Sequence, residues 1–443
     1  MQSSQNHQML QLTRQQKEAV GLLSIGTILE YFDLMLYVHM AVLLNELFFP
    51  KTDIHIKSLI TAAAFCSTYL MRPFGALLFG YIGDHIGRKY TLVITTLLMS
   101  LCCLTMTVLP TYAEIGIAAS IAITVCRMVQ GMSSLGEIVG AQLYLTELIK
   151  PPARYQAVAI IPLAASVGAF GSLGIASLVL SNPSLSWRYA FGIGAFIATI
   201  GWFARSVLRE TPEFSDARKR HKNILMKTDS EAPSKVYNWL STIKAQYKTT
   251  LSLFALDAMW PLCFYFGYIY CGEVLQNVFS YTSTDIVRNN FIVSIFQVGM
   301  DVAFVALCRT IHPLKILQVK AFIVGGLFFI FPFLANWATA GYHILIFQCI
   351  LAFFVPNANN SAASLYVHFP VLQRFRYSSL LYALSRAIVY VATSFGSIFL
   401  FQWFGHWGVS TVAILMVLMF LLGGGHFIAL EKSLGHAYPW VRR

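Results

Sequence analysis

The sequence predicts an all-α polytopic membrane protein with twelve transmembrane helices in two six-helix halves. Three observations carry that prediction. The 443 residues are 57% hydrophobic and only 11% charged, where a soluble protein carries about 25% charged residues, and mean hydropathy is +0.64. Apolar runs long enough to cross a bilayer core, about 20 residues each, recur along the whole chain. The basic residues fall mostly in alternate loops, as the positive-inside rule requires.

Residues 1–19 are polar and Gln-rich and read as a cytoplasmic tail. The first apolar run is too long for the core of a cleaved signal peptide. The first half, 20–208, divides at polar breaks into spans 20–48, 58–80, 89–109, 115–148, 156–181 and 187–208. A charged loop at 209–247, containing RETPEFSDARKRHK, separates it from the second half. That half, 248–430, divides into spans 248–277, 288–309, 315–335, 340–368, 378–403 and 406–430, and 431–443 reads as a second tail. With the N-terminus inside, the outer loops hold Lys51, Lys57 and Arg288. The inner segments hold Arg14, Lys17, Arg88, Lys89, Lys150, Arg154, Arg309, Lys315, Lys320, Arg374, Arg376, Lys432, Arg442, Arg443 and the basic central loop. Both termini are therefore expected in the cytoplasm.

The net charge of +12 follows this loop pattern, which argues for a lipid bilayer and against nucleic acid as the partner. The eight cysteines (66, 102, 103, 126, 263, 271, 308 and 349) lie in or beside apolar runs. They have no metal-ligand or redox spacing and read as small buried hydrophobes. No nucleophile–base pair, nucleotide loop or metal spacing is present, so an enzyme is not expected. The expected state is a monomer handling a small-molecule substrate.

The stretch GYIGDHIGRK joins the second and third spans. Gly80 and Gly83 permit close helix approach, and Gly87 permits a turn that other residues resist. Asp84 stands at a helix end, where it can meet a partner helix N-terminus or a basic side chain. Arg88 and Lys89 hold the cytoplasmic side.

Charges deep in spans are functional by default, because burying them in lipid is costly. Asp33 lies deep in the first span and Asp257 deep in the seventh, its second-half counterpart. Arg127 and Arg386 lie near the middle of the fourth and eleventh. Two acids and two arginines at one depth predict a polar cavity between the halves. Arg127, Gln130, Ser134, Glu137 and Ala141 share one face of the fourth span, and that face is expected to line the cavity. Glu30, Asp33 and Tyr37 share a face of the first. Asp33 is the first candidate for carrying a proton, followed by Glu137 and Glu30. Tyr37, Arg127, Gln130, Asp257, Arg386 and Tyr265 are candidates for touching substrate. An aromatic cage for a quaternary ammonium group could use Tyr31, Tyr37, Trp260, Tyr265 and Tyr268. Glu147 and Arg154 belong to an inner gate, and Arg72 with Pro73 to a gating kink. His39, His343 and His368 read as packed polar residues.

GYIGDHIGRK resembles the loop 2–3 signature of the major facilitator superfamily, G-x-x-x-D-R-x-G-R-K. It matches at Gly80, Asp84, Gly87, Arg88 and Lys89 and departs at His85, where Arg or Lys is usual. RMVQG (127–131) is similar to the fourth-helix signature. EYFDLMLY (30–37), RPFG (72–75), LPTYAEIGIAA (109–119), SSLGE (133–137), WRYAF (187–191) and RETPEF (209–214) resemble, in order, the metabolite:proton symporters, the group that includes proline/betaine transporters. The second half departs. The region matching the repeated signature reads VALCRTIHPLK (305–315), and the acid expected before the later F-P is replaced in YVHFP by Val367 and His368. The resemblance implies alternating access, with Gly80 to Lys89 as a latch on the inner side. It implies import of a small polar metabolite, a zwitterion such as proline or betaine, by proton symport across a bacterial inner membrane. No cofactor is implied, the proton gradient being the driving force. Di- and tricarboxylate symport, an exporter on the same fold and a non-transporting sensor are the alternatives.

Overall fold

A capping box starts the first helix well before the apolar run. The Thr13 hydroxyl accepts from the Gln16 amide at 3.2 Å, and the Gln16 side chain accepts from the Thr13 amide at 3.0 Å, satisfying two of the helix's orphan donors. Helix α1 therefore runs Arg14–Phe48, taking in residues that read as tail. The structure, a computed structural model, describes residues 12–50, 68–181, 186–208, 216, 247–371 and 373–434. Most of the central loop, the start of the second span and both chain ends lie outside the described residues.

Helices α2 (Arg72–His85) and α3 (Arg88–Val108) are joined by a two-residue turn. Gly87 in that turn has φ 144°, a region open to glycine and resisted by other residues. Helix α4 (Ile117–Leu148) follows a single capped turn at Tyr112–Ile115. Helices α5 (Ala153–Ser181) and α6 (Trp187–Ser206) complete the first half.

The second half opens with α7 (Tyr247–Phe264), which continues through a π-helical turn, Tyr265–Tyr270, into Cys271–Phe279. The Gly267 carbonyl freed there accepts from the Gln348 amide at 2.6 Å. Helix α8 (Ser283–Leu307) starts at a Thr282–Asp285 capping box, and α9 (Pro313–Trp337) starts at His312 with proline in its first position. Helix α10 (Gly341–Phe354) breaks and resumes as short turns from Ala358 to His368. The final helical stretch, Arg374–Ser433, bends at Gly405, whose φ is 58°. The bend separates α11 (374–404) from α12 (406–433). Helix α12 outlasts the apolar run and carries Glu431 into buried structure.

The described residues contain no strand. They include nine helices long and apolar enough to cross a bilayer, and their order is consistent with twelve spans. Large apolar side chains such as Leu101, Phe196, Phe322 and Leu422 are exposed on the outside of the bundle. A soluble protein does not leave so broad an apolar surface in water, so this surface faces lipid. Small residues let helices cross closely. A Cβ at Gly75 would stand 2.4 Å from the Met132 carbonyl, and one at Gly131 would stand 2.3 Å from the Thr68 carbonyl. The seven described cysteines are buried and free. The halves meet through side chains from α1, α2 and α5 on one side and α8 and α11 on the other. Phe170 stacks on Phe291 at 4.8 Å, Tyr69, just ahead of α2, tilts against Tyr390 at 4.3 Å, and the Tyr31 and Tyr382 hydroxyls lie 3.2 Å apart.

Candidate functional site

A cavity of about 50 Å³ lies between the halves. Ligand pockets usually enclose about 300–1,000 Å³, so this conformation is constricted around its centre. Three aromatic side chains of α7 form one wall. Trp260, Phe264 and Tyr268 stack in series with ring centroids 5.2 and 5.0 Å apart. Four-residue spacing puts them on one helix face. Tyr31 of α1 faces them, and Gln297, Asn357 and Asn359 supply neutral polar groups. Arg386 of α11 is the one charged residue among the described lining residues. Its guanidinium lies 3.3 Å from the Tyr382 ring centroid and 5.6 Å from that of Trp260. Asp257 stands behind it, buried and within electrostatic reach.

The first-half charges form a separate cluster. Asp33 is 1% exposed and accepts from the Gln130 amide at 2.6 Å; Gln130 in turn accepts from Arg127 at 3.0 Å. Arg127 also lies 3.9 Å over the Tyr37 ring, and the Cys103 thiol rests against Asp33. Arg127 and Gln130 thus turn to α1 rather than to the cavity, because α1 offers the carboxylate that they need. Asp33 reaches Arg127 through Gln130, not through an ion pair. Among the described residues, no cation is in direct contact with this carboxylate. The Glu137 side chain lies outside what the structure describes.

Glu30 is buried one turn below Asp33. Its electrostatic partners are Arg205 of α6 and Arg72 of α2. Arg205 was not singled out from the sequence, where it reads as an inner-end anchor of the sixth span. It is fully buried and donates to the Thr96 hydroxyl at 2.6 Å. Gly26 is what admits it, since a Cβ there would stand 2.2 Å from the Arg205 Nε. Breaking a buried pair by removing one partner costs about 3–5 kcal/mol, because the other charge is stranded. Arg205→Met is therefore expected to lower the melting temperature in detergent. Adding Glu30→Gln to it should recover part of the loss. A double variant less stable than Arg205→Met alone would show that the two do not act as a pair.

Tyr265 donates to or accepts from Ser397 of α11 at 2.9 Å and does not line the cavity. It directly follows Phe264 and so stands about 100° round the helix from the face that Trp260, Phe264 and Tyr268 share. Of the aromatic set read from the sequence, Tyr31, Trp260 and Tyr268 reach the cavity. Phe264, a plain apolar residue in sequence, joins them.

On the cytoplasmic side the signature stretch closes onto α11. Arg88 is fully buried. It donates to both Glu147 oxygens at 3.0 and 3.3 Å, to Asp84 at 3.1 Å, to the Val371 carbonyl at 2.7 Å, and to the Gly83 carbonyl. Asp84 accepts the backbone N–H groups of Phe375 and Arg376 at 3.2 and 3.0 Å. A carboxylate at a helix N-terminus is stabilised by the unpaired donors and the dipole there. Arg374 donates to Glu147 at 3.5 Å, and Arg154 to the Ile149 carbonyl at 2.6 Å. A Cβ at Gly83 would meet the Phe375 ring at 2.6 Å, and one at Gly80 the Arg376 backbone at 2.9 Å. Lys89 is half-buried beside Arg88. His85 is exposed, stacked on Tyr81 at 4.0 Å with its Nδ1 3.0 Å from the Tyr81 carbonyl, outside the Arg88 network.

A family model of the Major Facilitator Superfamily matches residues 23–384. The chain belongs to the major facilitator superfamily. Among its relatives is a putative proline/betaine transporter of Staphylococcus aureus, 28% identical over 351 residues, 76% of this chain and 72% of that one. The proline/betaine transporter of Salmonella typhimurium is 28% identical over 276 residues, 60% of this chain and 54% of that one. The inner membrane metabolite transport protein YhjE of Escherichia coli is 35% identical over 207 residues, 45% of this chain and 47% of that one. In fold the chain is similar to the proton:xylose symporter XylE, at TM-score 0.68 and 15% identity, covering 91% of this chain and 94% of that one. It is also similar to FucP in its outward conformation, at TM-score 0.69 and 13% identity, covering 94% and 99%. This major facilitator transporter is an integral membrane protein.

Proposed function

We propose that this transporter imports a small zwitterion of the proline or betaine kind by proton symport. The observation that carries the reading is Arg386 facing the Trp260–Phe264–Tyr268 stack across the cavity. A guanidinium recognises a carboxylate by paired, charge-assisted hydrogen bonds. Aromatic faces attract a quaternary or secondary ammonium group. A molecule with both groups a few ångströms apart satisfies the two walls together. The names of the Staphylococcus and Salmonella relatives point to the same substrates. Di- and tricarboxylates fit less well, since a single lining guanidinium would leave their further carboxylates buried and unpaired.

Asp33 is assigned the proton. It is buried at the centre of the first half, with no direct cationic partner among the described residues, and Gln130 and Arg127 couple its charge to α4. Glu30, with Arg205 and Arg72 around it, is the structural member of the pair. The loop charges favour both termini in the cytoplasm of a bacterial inner membrane, with the Arg88–Glu147 latch on that side.

Uptake of labelled proline, betaine, citrate and 2-oxoglutarate into proteoliposomes, with and without an inward proton gradient, tests the reading. Proline or betaine should accumulate only with the gradient. Gradient-independent uptake of every compound would overturn symport, and gradient-driven uptake of citrate alone would overturn the zwitterion.

A further inference from the structure

We propose that Glu431 of α12 is the hub of a second cytoplasmic latch, built with His312, His368 and Tyr155 in place of the charged signature that the second half lacks. The Glu431 carboxylate is buried. Its Oε1 lies 3.1 Å from the His368 Nε2, and its Oε2 accepts from the Tyr155 hydroxyl at 3.3 Å and lies 3.6 Å from the His312 Nε2. The Tyr155 ring also packs on the His312 ring at 5.1 Å.

The placement of these residues repeats that of the first latch. There, Arg88 comes from the turn between the second and third helices, Glu147 from the end of the fourth, and the partners from the start of α11. Here, His312 comes from the turn between α8 and α9, His368 from the end of α10, and Tyr155 from the start of α5. Each latch thus joins the second–third turn and fourth-helix end of one half to the fifth helix of the other. What differs is the chemistry. The acid has moved from the fourth helix of the half to the sixth, and the arginine has become histidine. VALCRTIHPLK and YVHFP, which read as losses in the sequence, supply the two residues that meet on Glu431.

The Tyr155 hydroxyl and the His312 imidazole of this latch are neutral, where the groups that meet Glu147 in the first are guanidiniums. The His312 Nδ1 accepts from the Leu314 amide at 3.2 Å, which places its proton on Nε2, toward Glu431. Burial, with Lys315 adding to it, pushes the His312 imidazole down to about 3, so it stays uncharged at physiological pH. A carboxylate held by one tyrosine hydroxyl at 3.3 Å and by imidazole contacts at 3.1 and 3.6 Å is a weaker tie than the two-pronged Arg88–Glu147 pair, since bidentate charge-assisted hydrogen bonds are the stronger. The cytoplasmic side is therefore unequal, with its looser seam between α5 and the α8–α9 turn.

The test needs no substrate, so it fails or succeeds independently of the zwitterion and proton readings. Spin labels are placed on Lys150→Cys and Lys432→Cys, two exposed positions at the cytoplasmic ends of opposite halves. Distance distributions are then measured by electron double resonance on the full chain in lipid nanodiscs. Glu431→Gln is expected to raise the ratio of long to short separations at least threefold. Tyr155→Phe, which removes one hydroxyl, should shift it the same way by less. The double variant should shift it no further than Glu431→Gln alone, because both changes break the same junction. Wild-type distributions in a folded Glu431→Gln protein, or fully additive shifts, would overturn the proposal. If Glu431→Gln does not fold, Tyr155→Phe decides, and an unchanged distribution there overturns it.

Discussion

Asp33→Asn is expected to abolish gradient-driven accumulation while leaving exchange intact. One pH unit of inward gradient is worth about 1.4 kcal/mol per proton, or about tenfold accumulation for a one-to-one symporter with the membrane potential clamped at zero. The wild-type protein should approach that ratio. Asparagine has the same shape and can still accept from Gln130, so the chain from α1 to Arg127 stays in place. It cannot take up or release a proton, and the accumulation ratio should fall to one. Counterflow of labelled against unlabelled substrate needs only the loaded carrier to cross and return, so it should persist within a few-fold of wild type. The contrast between the two assays separates coupling from damage to the fold. Accumulation surviving in Asp33→Asn would remove Asp33 from the coupling role. Loss of both activities would point to a structural role shared with Gln130 and Arg127.

The sequence carried the local chemistry of this protein more fully than its cross-chain chemistry. GYIGDHIGRK identified Gly87, Asp84 and Arg88 because a turn, a helix end and a buried arginine are features of a few adjacent residues. It held no mark of what Asp84 would meet. The Phe375 and Arg376 amides are groups every residue has, placed there only by the packing of α11. Periodicity put Arg127 and Gln130 on one face of α4 and directed them to the cavity, whereas they turn to Asp33 of α1, since a 3.6-residue repeat says which residues share a face and not which neighbour they face. Arg205 was hidden by its position, because an arginine at the inner end of a span is the ordinary topology signal. Its burial depends on Gly26, in another helix. Tyr265 failed as a cavity residue because it adjoins Phe264, about 100° round the helix from the face that Trp260, Phe264 and Tyr268 share. The second-half junction on Glu431 was illegible for a related reason. Its members come from the α5 start, the α8–α9 turn, the α10 end and α12, and they become a set only when both halves are folded together.

Arg386→Lys should weaken binding of a carboxylate-bearing substrate about tenfold while hardly changing binding of a cation that lacks the carboxylate. Arginine offers a planar fork that pairs with both carboxylate oxygens, and lysine offers a point charge without that geometry. A hydrogen bond to a charged group is worth about 1.5–3 kcal/mol, so losing one arm of the fork is about a tenfold effect or more. Lysine is the informative replacement, because it keeps a cation near Asp257. Arg386→Ala would strand that buried carboxylate, at about 3–5 kcal/mol, and confuse misfolding with lost recognition. The comparison is betaine against choline, which share the quaternary ammonium and differ in the carboxylate. Dissociation constants for both, measured by calorimetry on the purified protein, give a cycle in substrate and side chain. Weakening confined to betaine places the carboxylate on Arg386 and the ammonium on the Trp260–Phe264–Tyr268 wall. Equal weakening of both ligands would mean that Arg386 holds Tyr382 and Trp260 in place rather than touching substrate, and the carboxylate would then need another partner.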